Sequence, residues 1–168
     1  MLTSHNGYAL EQLFSPLVVL STPAFEELRD LGRGCVTRPT VRHYLGFARG
    51  RRERLREPDA TVKHLLYAYR VLLSGIHAMR TGEIVADLPS LAEAVPVDGL
   101  SELAERKRAG AEAARLAPGE AEEHGRRLDA LEETLRDAHA KSALPEEPTT
   151  TAALEDLVIR LRLSTAGA

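Results

Sequence analysis

The residues best suited to chemistry lie in the stretch KHLLYAYRVLLSGIHAMRTGEI, from Lys63 to Ile84. Lys63, Tyr67, Arg70, Ser74, His77 and Thr81 follow one another in steps of 4, 3, 4, 3 and 4, which puts all six on one face of a helix. Each can donate a hydrogen bond and none is acidic, the donor set that a phosphate takes up. Arg80 adds a further cation to the same helix. The competing reading is a solvated stripe padded by tyrosine, although a water-facing helix ordinarily interleaves both signs of charge.

A second cationic cluster precedes it. Arg38, Arg42, His43, Arg49, Arg51, Arg52, Arg54 and Arg56 are opposed in that stretch by Glu53 and Glu57 alone. Two neighbouring helices with such faces could hold a nucleotide triphosphate or an RNA backbone between them. Arg51 to Arg56 read instead as a solvated helix end whose cations complement the C-terminal dipole. The contact between the two helices is the premise of the phosphate reading.

Other chemistries find little support. The sequence has no Walker A loop, no GxGxxG, no GxSxG and no HExxH. Cys35 is the one cysteine, which excludes an intramolecular disulfide and leaves no cysteine-based zinc site. His5, His124 and His139 read as exposed bystanders. The acidic residues beyond Glu102 have the spacing of helix surface charges, so no metal site is expected in this chain.

The elements that must position these residues are helical. Ala, Leu, Glu and Arg dominate, no run of alternating β-branched residues is long enough for a sheet, and the class is mainly α. The patterning predicts helices over Ser4 to Phe14, Pro23 to Leu31, Pro39 to about Pro58, Lys63 to Thr81 and Ser90 to Ala94. Gly46 and Gly50 are read as a notch for the close approach of another backbone. A C-terminal helical hairpin follows, turning at Pro118-Gly119, then the linker ALPEEPTTT, and a last helix burying Leu154, Leu157, Val158 and Leu161. Two regions result, a helical core over 1–96 and the hairpin, linker and final helix over 97–168. Residues 1–89 carry 12 Lys/Arg against 9 Asp/Glu, and residues 90–168 carry 10 against 16, so a polyanion would prefer the first half. With no signal-like leader and no apolar stretch near membrane length, a soluble cytoplasmic protein is expected.

The segments NGYALEQLFSPLVV, VRHYLGFARG, LLYAYRVLLSGIHAMRTGEIVADLPSL, SALPEEP and ALEDLVIRLRL together resemble the RlaP-like, RNA-ligase-associated group of nucleotidyltransferases in the DNA polymerase β superfamily. The resemblance runs from about Asn6 to Leu163. It implies a two-part enzyme. An α/β palm carries Gly-Ser, an Asp-x-Asp pair and a third carboxylate, which hold two Mg²⁺ ions that position a nucleotide triphosphate for in-line attack. A helical C-terminal portion packs on the palm and shapes the substrate groove.

This sequence has neither Gly-Ser nor Asp-x-Asp, so the expectation is an irregular multi-helix bundle with the palm absent and no catalytic residue to assign. Arg42, His43, Tyr44, Tyr67, Arg70, His77, Arg80 and Thr81 correspond to the family's helical motifs. Substrate phosphate or base contacts are implied for the cations. For Arg70, pairing with an acidic partner is the equal alternative. The chain is therefore expected to be incompetent alone, as a shortened or split enzyme that meets a separately encoded palm or a second copy. Tyr8, Leu13 and Phe14 would then stand uncovered. Mg²⁺ and nucleotide triphosphate are implied only for a complete enzyme. The alternative is a non-enzymatic helical module that binds RNA or protein.

Overall fold

The computed structural model describes residues 1–111, 113–117 and 119–166, and among these the chain is mainly α, with one isolated bridge between Thr61 and Arg115 and no strand. Its helices are α1 (Gly7–Leu13), α2 (Pro23–Arg33), α3 (Val41–Leu55), α4 (Val62–Thr81), α5 (Leu88–Ala94), α6 (Leu100–Arg106), α7 (Glu120–Lys141) and α8 (Thr151–Ala166). None of them is long and apolar enough to cross a membrane.

Local signals set most boundaries. Asn6 caps α1 by accepting from the backbone N–H groups of Tyr8 and Ala9, and Thr22 caps α2 ahead of Pro23. Before α4, the Thr61 N–H donates to His64 Nδ1 at 3.1 Å. That helix stops at Gly82, whose φ of 76° is a left-handed conformation natural to glycine.

Helix α4 is the axis of the larger core, flanked by α3, α5, α6 and α7. It buries 13 of its 20 residues, the apolar face among them, while Lys63, Tyr67, Arg70, His77 and Thr81 of the donor stripe stay exposed or half-buried. Helix α3 approaches closely, since at Gly75 a Cβ would stand 2.9 Å from Tyr44 Cβ, and Ser74 is only 1% exposed. The polar stripe is cut there into an upper part, Lys63 to Arg70, and a lower part, His77 to Thr81. Gly46 and Gly50 do not serve as the notch, for each faces open space.

The C-terminal hairpin is shorter in its first arm than expected. Helix α6 passes into a wide turn over Lys107–Ala111, where Gly110 takes φ 81° and ends the helical run. The chain then returns beside the start of α4, with Val62 N–H donating to Ala114 O at 3.1 Å and Leu116 N–H to Ala60 O at 3.0 Å. Pro118 lies outside the described residues, while Gly119 caps α7 in a left-handed conformation. Along α7, Leu128, Leu131 and Leu135 pack into the α4 core.

A second, thinner cluster joins the two ends of the chain. Leu10, Cys35, Val36 and Leu154 form it, with Phe14, Leu28 and Leu31 packed against them. Leu13 is buried as well and Phe14 half-buried, so of the three α1 residues expected to be uncovered only Tyr8 is. Of the four apolar residues expected inside on α8, Leu154 and Leu157 are buried while Val158 and Leu161 are exposed. The segment before α8 is a strap. Thr149 N–H donates to Gly34 O at 2.9 Å, and the Thr150 hydroxyl to Leu31 O at 2.7 Å, satisfying carbonyls at the end of α2.

Candidate functional site

The upper part of α4 opens onto a groove of about 1030 Å³. Tyr8, Glu11 and Gln12 of α1 form one wall and Lys63, Leu66, Tyr67 and Arg70 of α4 the other. Leu88 and Pro89 of α5 and Lys107 with Arg108 of the wide turn close its end. Four cations and one acid line it. The dipole of α4 also presents its positive end to this half of the helix.

Arg70 ties the walls together. Its Nη1 donates to Glu11 Oε2 at 2.8 Å, with both side chains largely shielded from water. The acidic partner is therefore there, and Glu11 takes up much of the guanidinium's charge. Arg70 also lies with its Cζ 5.6 Å from the Tyr67 ring centroid, and Arg51 of α3 reaches the same ring at 5.6 Å. Two cations thus fix the orientation of a tyrosine that stays 40% exposed. Such a ring offers a stacking surface beside cations suited to phosphate.

His43 stands behind the α1 wall. A Cβ at Gly7 would meet its ring at 2.5 Å, so the glycine lets α1 lie against α3. Burial pushes the His43 imidazole below its usual range, partly offset by nearby Glu11, while Arg70 lowers it further. The ring's close fit against Gly7 sets how α1 lies on α3. Tyr44 beneath it is buried, and burial with the Glu11 charge drives its phenol well above the ordinary range.

The remaining sequence candidates lie elsewhere. Arg38 pairs with Glu146 at 3.0 Å and accepts the role of a tail anchor, since its backbone N–H also donates to Pro145 O at 2.9 Å. Arg42 lies with Arg49, Arg52 and Arg56 along a channel between α3 and α7. His77 and Arg80 belong to the lower end of α4, about 21 and 25 Å from Lys63 by the helical rise. There His77 Nε2 sits 3.9 Å from Glu83 Oε2. Helices α3 and α4 do touch, with Tyr44 against Gly75 and Arg51 over the Tyr67 ring. Tyr8, Arg51, Lys107 and Arg108 were not among the site residues read from the sequence. The basic triplet at Arg106 to Arg108 and the aromatic at position 8 carried the signal, without any indication that they meet.

Residues able to hold Mg²⁺ are another matter. Among the described residues no group of three or more His, Cys, Asp or Glu side chains could hold a metal ion. The one Glu-x-Asp in the sequence, Glu57 with Asp59, is committed to another partner, because Arg54 donates to both Asp59 oxygens at 2.6 Å. Those bonds hold the Asp59 carboxyl below the usual range. The residues present do not fit a two-metal centre, and no step through Mg²⁺ is assigned to them.

The described residues form a mainly α protein with a groove lined by four cations, one acid and the rings of Tyr8 and Tyr67. Over residues 1–160 the chain matches the model of the RlaP family, described as the RNA repair pathway DNA polymerase beta family, and it belongs to that family. No curated protein and no solved structure matches it.

Proposed function

We propose that the chain is the RNA-facing helical part of a nucleotidyltransferase, holding phosphate-bearing substrate in the α1–α4 groove while the carboxylates for nucleotidyl transfer come from elsewhere. The observation that carries this reading is the groove's charge, Lys63, Arg70, Lys107 and Arg108 against Glu11, next to a tyrosine ring held open by two guanidiniums. The family's connection with RNA repair favours RNA over other polyanions. A separately encoded palm or a second copy would supply the missing catalytic groups. Leu17, which lines the groove, and the exposed Val19 and Leu20 after it offer apolar surface for that supplier to cover. Without such a supplier the same groove makes the chain an RNA-binding module.

The test combines the purified chain with labelled nucleotide triphosphates, Mg²⁺ and single-stranded RNA. The expected result is RNA binding that weakens steeply with salt, as phosphate contacts require, and no transfer of label. Transfer by the chain alone would contradict the claim of incompetence. Binding that is indifferent to salt would contradict a phosphate-facing groove.

A further inference from the structure

We propose that the outward face of α3 is a second contact surface for single-stranded RNA, with an arginine track for phosphates and a ring stripe for bases. It takes from the groove reading only that RNA is the ligand. Arg42, Arg49 and Arg56 recur every seven residues, a spacing that keeps side chains in line along a helix with a small drift. The track is about 21 Å long by the helical rise. All three are exposed. The other two arginines of the channel are engaged, Arg52 with Asp129 and Arg136 with Glu132, so Glu53 is the channel's acid that those pairs leave over.

Beside the track lie Gly46 and Gly50, at each of which a Cβ would meet no heavy atom within 4 Å. They lower the helix surface over one turn, giving a strand room to lie close. On the far side of this trough the rings of His43 and Phe47 stack with centroids 4.6 Å apart and an interplanar angle of 32°. Phe47 is 44% exposed and offers a face to a base. Farther round, Arg51 leans over Tyr67 and leads into the groove. Cations, trough and rings in that order match a strand with its phosphates on one side and its bases on the other. At about 3.4 Å per stacked nucleotide the track spans roughly six nucleotides.

The experiment replaces the three arginines together, R42Q/R49Q/R56Q, with R42K/R49K/R56K as its partner. Fluorescence anisotropy then follows a trinucleotide and a single strand of about 12 nucleotides through a salt series. Loss of three phosphate contacts is expected to reduce the slope of log affinity against log salt by about 2 for the longer strand. Trinucleotide binding stays unchanged. The lysine variant keeps most of the slope, and Phe47→Ala weakens the longer strand without altering it. The proposal is overturned if the glutamine variant binds the longer strand with wild-type affinity and slope, or if polyglutamate competes as well per charge as RNA does. Should the track effect appear while the wild type binds no trinucleotide, the track stands and the groove reading fails.

Discussion

The two clusters of this molecule are built by different means. Around α4 the chain buries a thick aliphatic core in which Leu65, Leu72, Leu73 and Ile76 are nearly inaccessible, and apolar packing sets the geometry. The α1–α2–α8 cluster has four buried members and depends on polar ties, namely the threonine strap on α2 and the Arg160 pair with Glu27. The groove lies on the seam, one wall from each, joined by Arg70 and Glu11. The thick core fixes the cationic wall, and the tied cluster holds the opposing wall where adjustment is cheaper.

Truncations should separate the clusters by magnitude. Leu72→Ala removes a fully buried side chain and is expected to cost about 4 kcal/mol, whereas Leu154→Ala in the thin cluster costs about 2. Chemical denaturation reads both. Equal losses would erase the distinction. Breaking the seam comes next, since Arg70→Met strands a largely shielded Glu11 carboxylate at a cost of about 2 kcal/mol. Adding Glu11→Gln should recover part of that loss, and a double variant no better than the single one would show the pair to be idle.

A smaller effect tests the strap. Thr150→Val keeps the shape but removes the hydroxyl donated to Leu31 O, for an expected loss of about 1 kcal/mol. Faster amide exchange should then be confined to the end of α2 and to α8. Exchange spreading evenly into α4 would count against two separable regions.

The pH response should be a property of the thick core. The Tyr69 hydroxyl and His124 Nδ1 are 2.7 Å apart, and burial, with Arg127 close by, pushes the imidazole below its usual range. A histidine whose folded pKa is depressed stabilises fully above its unfolded value of about 6.5. That contribution is lost as pH falls from there through the folded value. Melting temperature should drop on acidification, and His124→Gln, which keeps an acceptor for Tyr69, should flatten the drop. An unchanged slope would assign the response to other groups, His43 first.

The sequence made the helices legible where the signals are local. Thr22-Pro23 and Gly82 mark real boundaries, and the motifs VRHYLGFARG and LLYAYRVLLSGIHAMRT lie on α3 and α4. What it could not show was which neighbour covers which face. Ser74 continues a donor stripe by spacing, yet it is only 1% exposed. Tyr8 and Lys107 meet at one groove from opposite parts of the chain, and no periodicity encodes that. Gly110 inside an otherwise helical pattern hid the turn that brings Lys107 and Arg108 there. The linker looked merely polar because its threonines act through contacts with α2 that are distant in sequence.

Photo-crosslinking of bound single-stranded RNA, read out by mass spectrometry of the labelled peptides, addresses the seam groove most directly. The account predicts adducts on the peptides that carry Tyr8 and Tyr67, both lost when Lys63 and Arg108 are replaced by glutamine. Adducts confined to α2 and α8, with none on either tyrosine, would contradict it.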